Sequence, residues 1–299
     1  MTISNPDRVL FPEAGLTKAD VAGYYDGVAE RMVPHLEDRP LTVERYPKGV
    51  GEHGFMQKNR PSHAPDFVGS VELDKKDGVT VYPVVNDGDG LRFFANLSAI
   101  TFHVPTVTVG DDRHPDWVIW DLDPPEGSDD LVADAATTMR SFLEGFDLST
   151  LLMATGSKGF HLRTPIERGV DAEQVSQLAR ATAALAAAAH PDLLTLAFKK
   201  ADRQGRVFVD WLRNSPRATS VVPYSLRPKE RAPVAAPLAW DELGRGPAGV
   251  TLQSIEERLS ADDPWAGADL VDLEPITAHV DAVLEKAGVT LEPFDRFRS

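Results

Sequence analysis

The chain has 299 residues, 42% of them hydrophobic and 26% charged, with a formal net charge of −15. That length allows one large domain or two small ones around a buried core, and no run of about 18 apolar residues is present to cross a membrane. The absence of cysteine excludes disulfides, thiol catalysis, Cys-ligated zinc and iron–sulfur clusters, and it accords with a reducing cytoplasm.

Met1 to Pro6 has no basic stretch followed by an apolar one, so no secretory leader is expected there. Thr17 with Asp20 has the spacing of a capping box. A helix is expected from Lys18, with Val21, Tyr24, Tyr25, Val28 and Met32 as its apolar stripe and Pro34 ending it. Leu41-Thr42-Val43 begins a strand, Val79 to Val85 alternates into a hairpin-like turn at Asn86-Asp87-Gly88, and Ile100 to Val104 is a further strand. The next segment runs strand (Trp117 to Leu122), helix (Leu131 to Phe146, with Ser128 as its N-cap), strand (Leu151 to Thr155), turn and strand (Phe160 to Thr164). An alanine-rich helix over Ala172 to Ala189 follows, then a strand over Arg206 to Trp211, a linker or surface strap at Pro233 to Pro237, and an acidic helical end. No internal repeat is present. Strands and helices mixed in this order imply an α/β or α+β core.

The chemistry concentrates in three places. Asp121 and Asp123 end an apolar strand; residues two apart project to one face of a strand, so they form a pair of hard oxygen ligands for a divalent cation. A third carboxylate, Asp210, ends another apolar strand downstream. Gathering uncompensated carboxylates is costly, so a cation is their natural partner. Gly156-Ser157-Lys158-Gly159 lacks Walker spacing, but a tight turn of this composition presents backbone N–H groups, a hydroxyl and an ammonium to phosphates. His161 follows, with Arg163 on the same strand face. The net charge argues against a nucleic-acid partner, yet Lys199 to Arg231 carries nine basic residues against three acidic ones. A local basic groove grips phosphates despite distant acids, because salt screens exposed charges beyond about 8–10 Å.

Asp121-Leu122-Asp123-Pro124, Gly156 to His161, Val207 to Trp211 and Pro223-Tyr224-Ser225-Leu226-Arg227, in that order, resemble the successive motifs of the archaeo-eukaryotic primase superfamily. More narrowly, the chain resembles the polymerase domain of bacterial ligase D and its stand-alone primase-polymerase relatives, from Asn5-Pro6-Asp7-Arg8 to its last residues. The resemblance implies one bilobed domain with a mainly antiparallel sheet core and flanking helices. Residues 1–110 would form a DNA-holding lobe and 111–299 the catalytic core. It implies two Mn²⁺ or Mg²⁺ ions on Asp121, Asp123 and Asp210. It places Ser157, Lys158, Gly159, His161 and Arg227 at the nucleotide's phosphates, and His103 at a sugar pocket that prefers ribose. Lys18, Arg45, Phe55 and Lys58 would hold DNA at a gap, overhang or primer-template. Glu44 and Met56 stand where relatives often carry a basic and an aromatic residue, which leaves the strength of 5′-phosphate recognition open. The implied reaction is templated nucleotidyl transfer from nucleoside triphosphates in gap filling during end joining, with Ku and a DNA ligase as partners and a bacterial cytoplasmic, nucleoid-associated location. A catalytically weak end-bridging module and a different metal-dependent phosphoryl-transfer enzyme remain the competing readings. Stand-alone protein and excised domain also remain open.

Overall fold

Thr17 and Asp20 close the capping box that their spacing predicts. The Thr17 N–H donates to Asp20 Oδ2 at 2.7 Å, and the Asp20 N–H donates to Thr17 Oγ1 at 3.3 Å. The computed structural model describes residues 1–75 and 78–291, and of Asp129 only the backbone. A short ribbon of β1 (Val9–Phe11) with β2 (Leu16–Thr17) leads into α1 (Lys18–Met32), whose predicted stripe is buried throughout. Two tyrosines on that stripe stitch distant segments together. Tyr24 Oη donates to the Tyr224 carbonyl at 2.6 Å, and Tyr25 Oη accepts from the Leu226 N–H at 3.0 Å while donating to the Ile100 carbonyl.

Strands β3 (Thr42–Arg45) and β4 (Phe55–Gln57) follow, then the hairpin β5 (Gly69–Lys75) and β6 (Gly78–Val84), α2 (Gly88–Asn96) and β7 (Ala99–Val104). Asn86-Asp87-Gly88 is therefore not the hairpin turn its composition predicts. The Asp87 carboxylate accepts from the Gly90 N–H at 2.8 Å and N-caps α2, and the helix buries Leu91, Phe93, Phe94 and Ala95. Asp favours both roles, because its oxygen satisfies an orphan N–H in a turn or at a helix start alike.

The second half runs β8 (Trp117–Asp123), α3 (Asp129–Glu144), β9 (Leu151–Ala154), β10 (Phe160–Pro165), α4 (Ala172–Ala189), β11 (Leu194–Thr195), β12 (Val207–Asp210), β13 (Ser220–Val221), β14 (Ala236–Leu238), α5 (Ile255–Ser260) and α6 (Glu274–Ala287). Ser128 stands at the N-cap of α3, but its side chain makes no capping bond. Residues 292–299, the end of the sequence resemblance, lie outside the described residues.

Two main sheets organise this mixed α/β fold. A six-stranded sheet has the order β11-β12-β8-β10-β9-β14, antiparallel except for β11 with β12, and a four-stranded sheet has the order β13-β7-β3-β4. Helices α3 and α4 cover one face of the larger sheet. Trp120, fully buried, anchors α4 there by donating from Nε1 to the Ala179 carbonyl at 3.2 Å and to Thr182 Oγ1 at 3.1 Å. Because strand side chains alternate, burying Val118, Trp120 and Leu122 under the helices turns Asp121 and Asp123 to the opposite face.

The Pro233 to Pro237 segment is not a surface strap. Val234, Ala235 and Ala236 are fully buried, and β14 adds to the sheet beside β9. Its backbone is paired on the other side as well: the Tyr224 N–H donates to the Ala235 carbonyl at 2.6 Å, and the Ala235 N–H donates to the Ser225 carbonyl at 2.8 Å. Small apolar side chains between the prolines make this close burial possible.

Candidate active site

The ladder of the larger sheet brings three of the predicted residues into one row. His161 on β10 and Asp210 on β12 are each the direct partner of Asp121 on β8, one from either side. Asp123 lies one pleat further along, opposite Phe208. The row opens into a cavity of about 280 Å³ lined also by His103, Ser157, Lys158, Gly159, Thr219, Ser220 and Arg227. All nine residues predicted for metal or nucleotide line this one cavity.

Gly159 sets the tight approach of the β9–β10 turn to the end of β8. A Cβ there would lie 1.8 Å from the Leu122 carbonyl oxygen, so only glycine fits. Thr155 closes the turn by donating from its N–H and hydroxyl to the Gly159 carbonyl at 3.1 and 2.7 Å. Ser157 and Lys158 are thereby presented at the cavity rim. Lys158 makes one long contact of 3.3 Å to Glu126, which is almost wholly exposed, so its ammonium is cheaply released to an anion. Elsewhere, Thr101 Oγ1 donates to the Leu226 carbonyl at 2.9 Å, and Ser225 Oγ accepts from the Phe102 N–H at 2.8 Å. These bonds lay the Pro223 to Arg227 motif along β7 and so bring Arg227 and His103 to the same cavity. Buried His103 Nδ1, His161 Nδ1 and Arg227 Nε have no hydrogen-bond partner in the protein, leaving polar atoms for a ligand to satisfy.

Two arginines that sequence reasoning placed only in a basic run belong to the site. Arg203 Nη1 donates to Asp123 Oδ2 at 2.6 Å, with its guanidinium over the Phe208 ring at 4.4 Å. Arg213 Nε and Nη2 each lie 3.0 Å from Asp121 Oδ2, and Nη2 is 3.5 Å from Asp210 Oδ2. Turned onto these arginines, the carboxylates do not close on one point, and no group of three acidic or imidazole side chains among the described residues is drawn together as a metal site. The donor set itself, three carboxylates and no thiolate, matches a hard divalent cation.

The electrostatics follow from burial and these partners. Burial pushes the Asp121 carboxyl up, but His161 and the Arg213 guanidinium outweigh it and hold the group well below the usual carboxylate range. Burial pushes Asp210 up; Arg213 counters part of that, and the charge of Asp121 adds to it. His103 is pushed down to about 3 by burial and by Arg227, Arg213 and His161. Burial also lowers His161, against the pull of Asp121.

The structure does not bring the predicted DNA-holding residues together in the same way. Lys18 is only 3% exposed; its ammonium donates to the Ser4 carbonyl at 2.7 Å and to Ser4 Oγ at 2.9 Å. Arg45 donates to the Leu97 carbonyl at 2.7 Å and to Gln57 Oε1 at 2.6 Å, with its guanidinium 5.2 Å from the Phe55 ring centroid. Phe55 and Met56 are about half exposed, and Lys58 is exposed beside them. Glu44 accepts from Tyr46 Oη at 2.6 Å. Arg163 lies away from the cavity, although it shares a strand face with His161. It is buried with its guanidinium 4.6 Å from the Trp117 ring and 5.4 Å from that of Trp265.

Comparisons with known proteins agree with this geometry. The family model for the primase-polymerase domain of LigD matches residues 17–265. The multifunctional non-homologous end joining protein LigD of Mycolicibacterium smegmatis is 38% identical over 244 residues, covering 81% of this chain and 32% of that protein. Its Mycobacterium tuberculosis counterpart is 36% identical over 287 residues, covering 89% and 38%. The chain thus spans about a third of the length of these relatives. The polymerase domain of M. tuberculosis ligase D, solved in complex with DNA, superposes with a TM-score of 0.81 at 34% identity, covering 93% of this chain and 98% of that one. A sheet that gathers the motif carboxylates, matched over most of its length by that family, leaves one assignment: the chain belongs to the LigD primase-polymerase domain family.

Proposed function

We propose that the chain is a template-dependent nucleotidyltransferase that fills short gaps in broken DNA, with a preference for ribonucleotides. The observation that carries this reading is the row His161–Asp121–Asp210, with Asp123, facing one cavity that Ser157, Lys158 and Arg227 also line. Carboxylates for a metal ion and cations for phosphates in one cavity fit a metal-bound triphosphate.

In this reading Asp121, Asp123 and Asp210 hold two divalent ions, and the carboxylate set accepts Mn²⁺ or Mg²⁺. Bound there, such ions neutralise charge on the attacking and leaving oxygens of an in-line displacement. Ser157, Lys158 and Arg227 orient the triphosphate, with His161 beside it. His103, neutral and half-buried, stands near the sugar. The primer 3′-oxygen then bonds to the α-phosphorus as the bond to the β-phosphate oxygen breaks and pyrophosphate leaves. Catalysis by these residues is mainly positioning and charge stabilisation.

DNA binding by the ligase D domain supports the same role here. Residues 1–110 would hold the DNA, through Arg45, Lys58 and the exposed Phe55, which offers a ring for base stacking. Lys18 joins them once its ammonium is released from Ser4. The relatives' part in end joining points to Ku and a DNA ligase as partners, in the nucleoid of a bacterial cytoplasm. The test is extension of a labelled primer across a gapped duplex with ribo- and deoxyribonucleotides under Mn²⁺ and Mg²⁺. Templated addition is expected, faster with ribonucleotides and absent in Asp121→Ala. Equal addition by that variant would remove the reading.

A further inference from the structure

Arg213 bridges two of the carboxylates that would hold a metal ion. Its Nη2 is 3.0 Å from Asp121 Oδ2 and 3.5 Å from Asp210 Oδ2, bridging the two carboxylates that the ladder sets face to face. A divalent ion takes carboxylate oxygens at about 2.0–2.6 Å, depending on the ion. It cannot share those two oxygens with a guanidinium carrying the same sign of charge.

The backbone that bears Arg213 is fixed. Neighbouring Asn214 is fully buried; its Oδ1 accepts from the Ile119 N–H at 2.7 Å, and its Nδ2 donates to the Ile119 carbonyl at 2.7 Å and to the Trp211 carbonyl at 2.8 Å. The Leu212 N–H donates to Asp210 Oδ1 at 2.9 Å. The Arg213 side chain, by contrast, is 39% exposed at the cavity. It therefore exchanges partners by side-chain rotation alone, without moving the strand that carries Asp210.

We infer that Arg213 is a positioning residue: it neutralises Asp121 and Asp210 before the site is loaded, competes with the metal for them, and passes to the nucleotide's phosphates when metal and nucleotide arrive together. This inference rests on the nucleotidyltransferase reading. It makes metal affinity low without nucleotide and couples the two ligands. A guanidinium displaced from the carboxylates stays in the same cavity as Ser157, Lys158 and Arg227, where a triphosphate supplies the negative charge it has lost.

The test is Mn²⁺ binding to the full chain without nucleotide, read from the free-ion electron paramagnetic resonance signal. It is followed by titration with a fluorescent nucleoside triphosphate at saturating Mn²⁺. Arg213→Gln should tighten Mn²⁺ binding about fivefold or more and weaken nucleotide binding by a similar factor, as expected of two coupled sites. Arg213→Ala should behave alike and serves if either variant folds poorly by circular dichroism. Unchanged or weaker Mn²⁺ binding in the folded variants would overturn the inference while leaving the enzyme reading intact. Asp121→Asn separates the two: undiminished Mn²⁺ binding in that variant would remove the metal site itself.

Discussion

Asp210 lies directly across the β8–β12 ladder from Asp121, and both carboxylates face the same cavity with side chains about 15% exposed. Like charges opposed on adjacent strands work against the fold. Here the opposition is relieved by Arg213, which reaches both carboxylates.

That relationship separates activity from stability. Asp210→Asn keeps an acceptor for the Leu212 N–H and removes the repulsion. The variant is expected to melt no lower than wild type while losing at least about 10²–10³-fold in primer extension, the scale of removing one transition-state contact. Thermal melting beside single-turnover kinetics checks it. A lower melting point would show that the carboxylate pair supports the fold rather than straining it.

Gly159→Ala is expected to destabilise the protein by about 2–4 kcal/mol, because the new methyl must displace the Leu122 carbonyl, part of the strand backbone between Asp121 and Asp123. Urea unfolding measures this directly. Gly205→Ala makes the comparison: a Cβ there meets nothing within 4 Å, although its φ of +80° carries a strain of its own. The Gly159 variant should be clearly the less stable of the two.

The tight approach of Gly159 is invisible in the sequence, where Gly156-Ser157-Lys158-Gly159 reads only as a turn. What was legible had a local cause. The Thr17–Asp20 spacing gives the start of α1, the alanine-rich run gives α4 over Ala172–Ala189, and the two-residue period puts Asp121 and Asp123 on one face. The misreadings were also local: Asp87 can cap a helix or make a turn, and the prolines around Val234-Ala235-Ala236 suggested exposure. Arg203 could not be assigned, since it reaches a carboxylate 80 residues away; Arg213 does stand three residues from Asp210, but its contact with Asp121 spans 92 residues. The same holds for Lys18, whose partner Ser4 returns to it only through the fold.

Acid sensitivity follows from two histidines. His35 and His103 are each pushed from an ordinary value of 6.5 down to about 3, by burial first and then by neighbouring arginines, Arg163 for His35 and Arg227 for His103. Between those values the unfolded chain binds protons that the folded chain does not, so stability falls as pH drops from about 6.5 towards 3. Each contributes at most about 1.4 kcal/mol per pH unit, and less in practice because both keep some solvent contact. His35→Phe should flatten the loss of stability between pH 7 and 5 in urea titrations. An unchanged slope would show that His35 titrates alike in both states.

Phe55 offers the cleanest test of the DNA-holding surface, because it is 47% exposed and contributes little to the core. Stacking of a base on an aromatic ring is worth about 1–3 kcal/mol, so Phe55→Ala should weaken binding of a gapped duplex by roughly 5- to 150-fold. Stability should change by no more than about 0.5 kcal/mol, as for other surface substitutions. Lys58→Ala should differ in kind: a lost phosphate contact lowers affinity at low salt and reduces the salt dependence of binding, whereas loss of stacking does not. Fluorescence anisotropy with the same duplex at several salt concentrations distinguishes the two. If Phe55→Ala binds as tightly as wild type, the DNA lies elsewhere on the protein, and the exposed ring beside Arg45 serves another purpose.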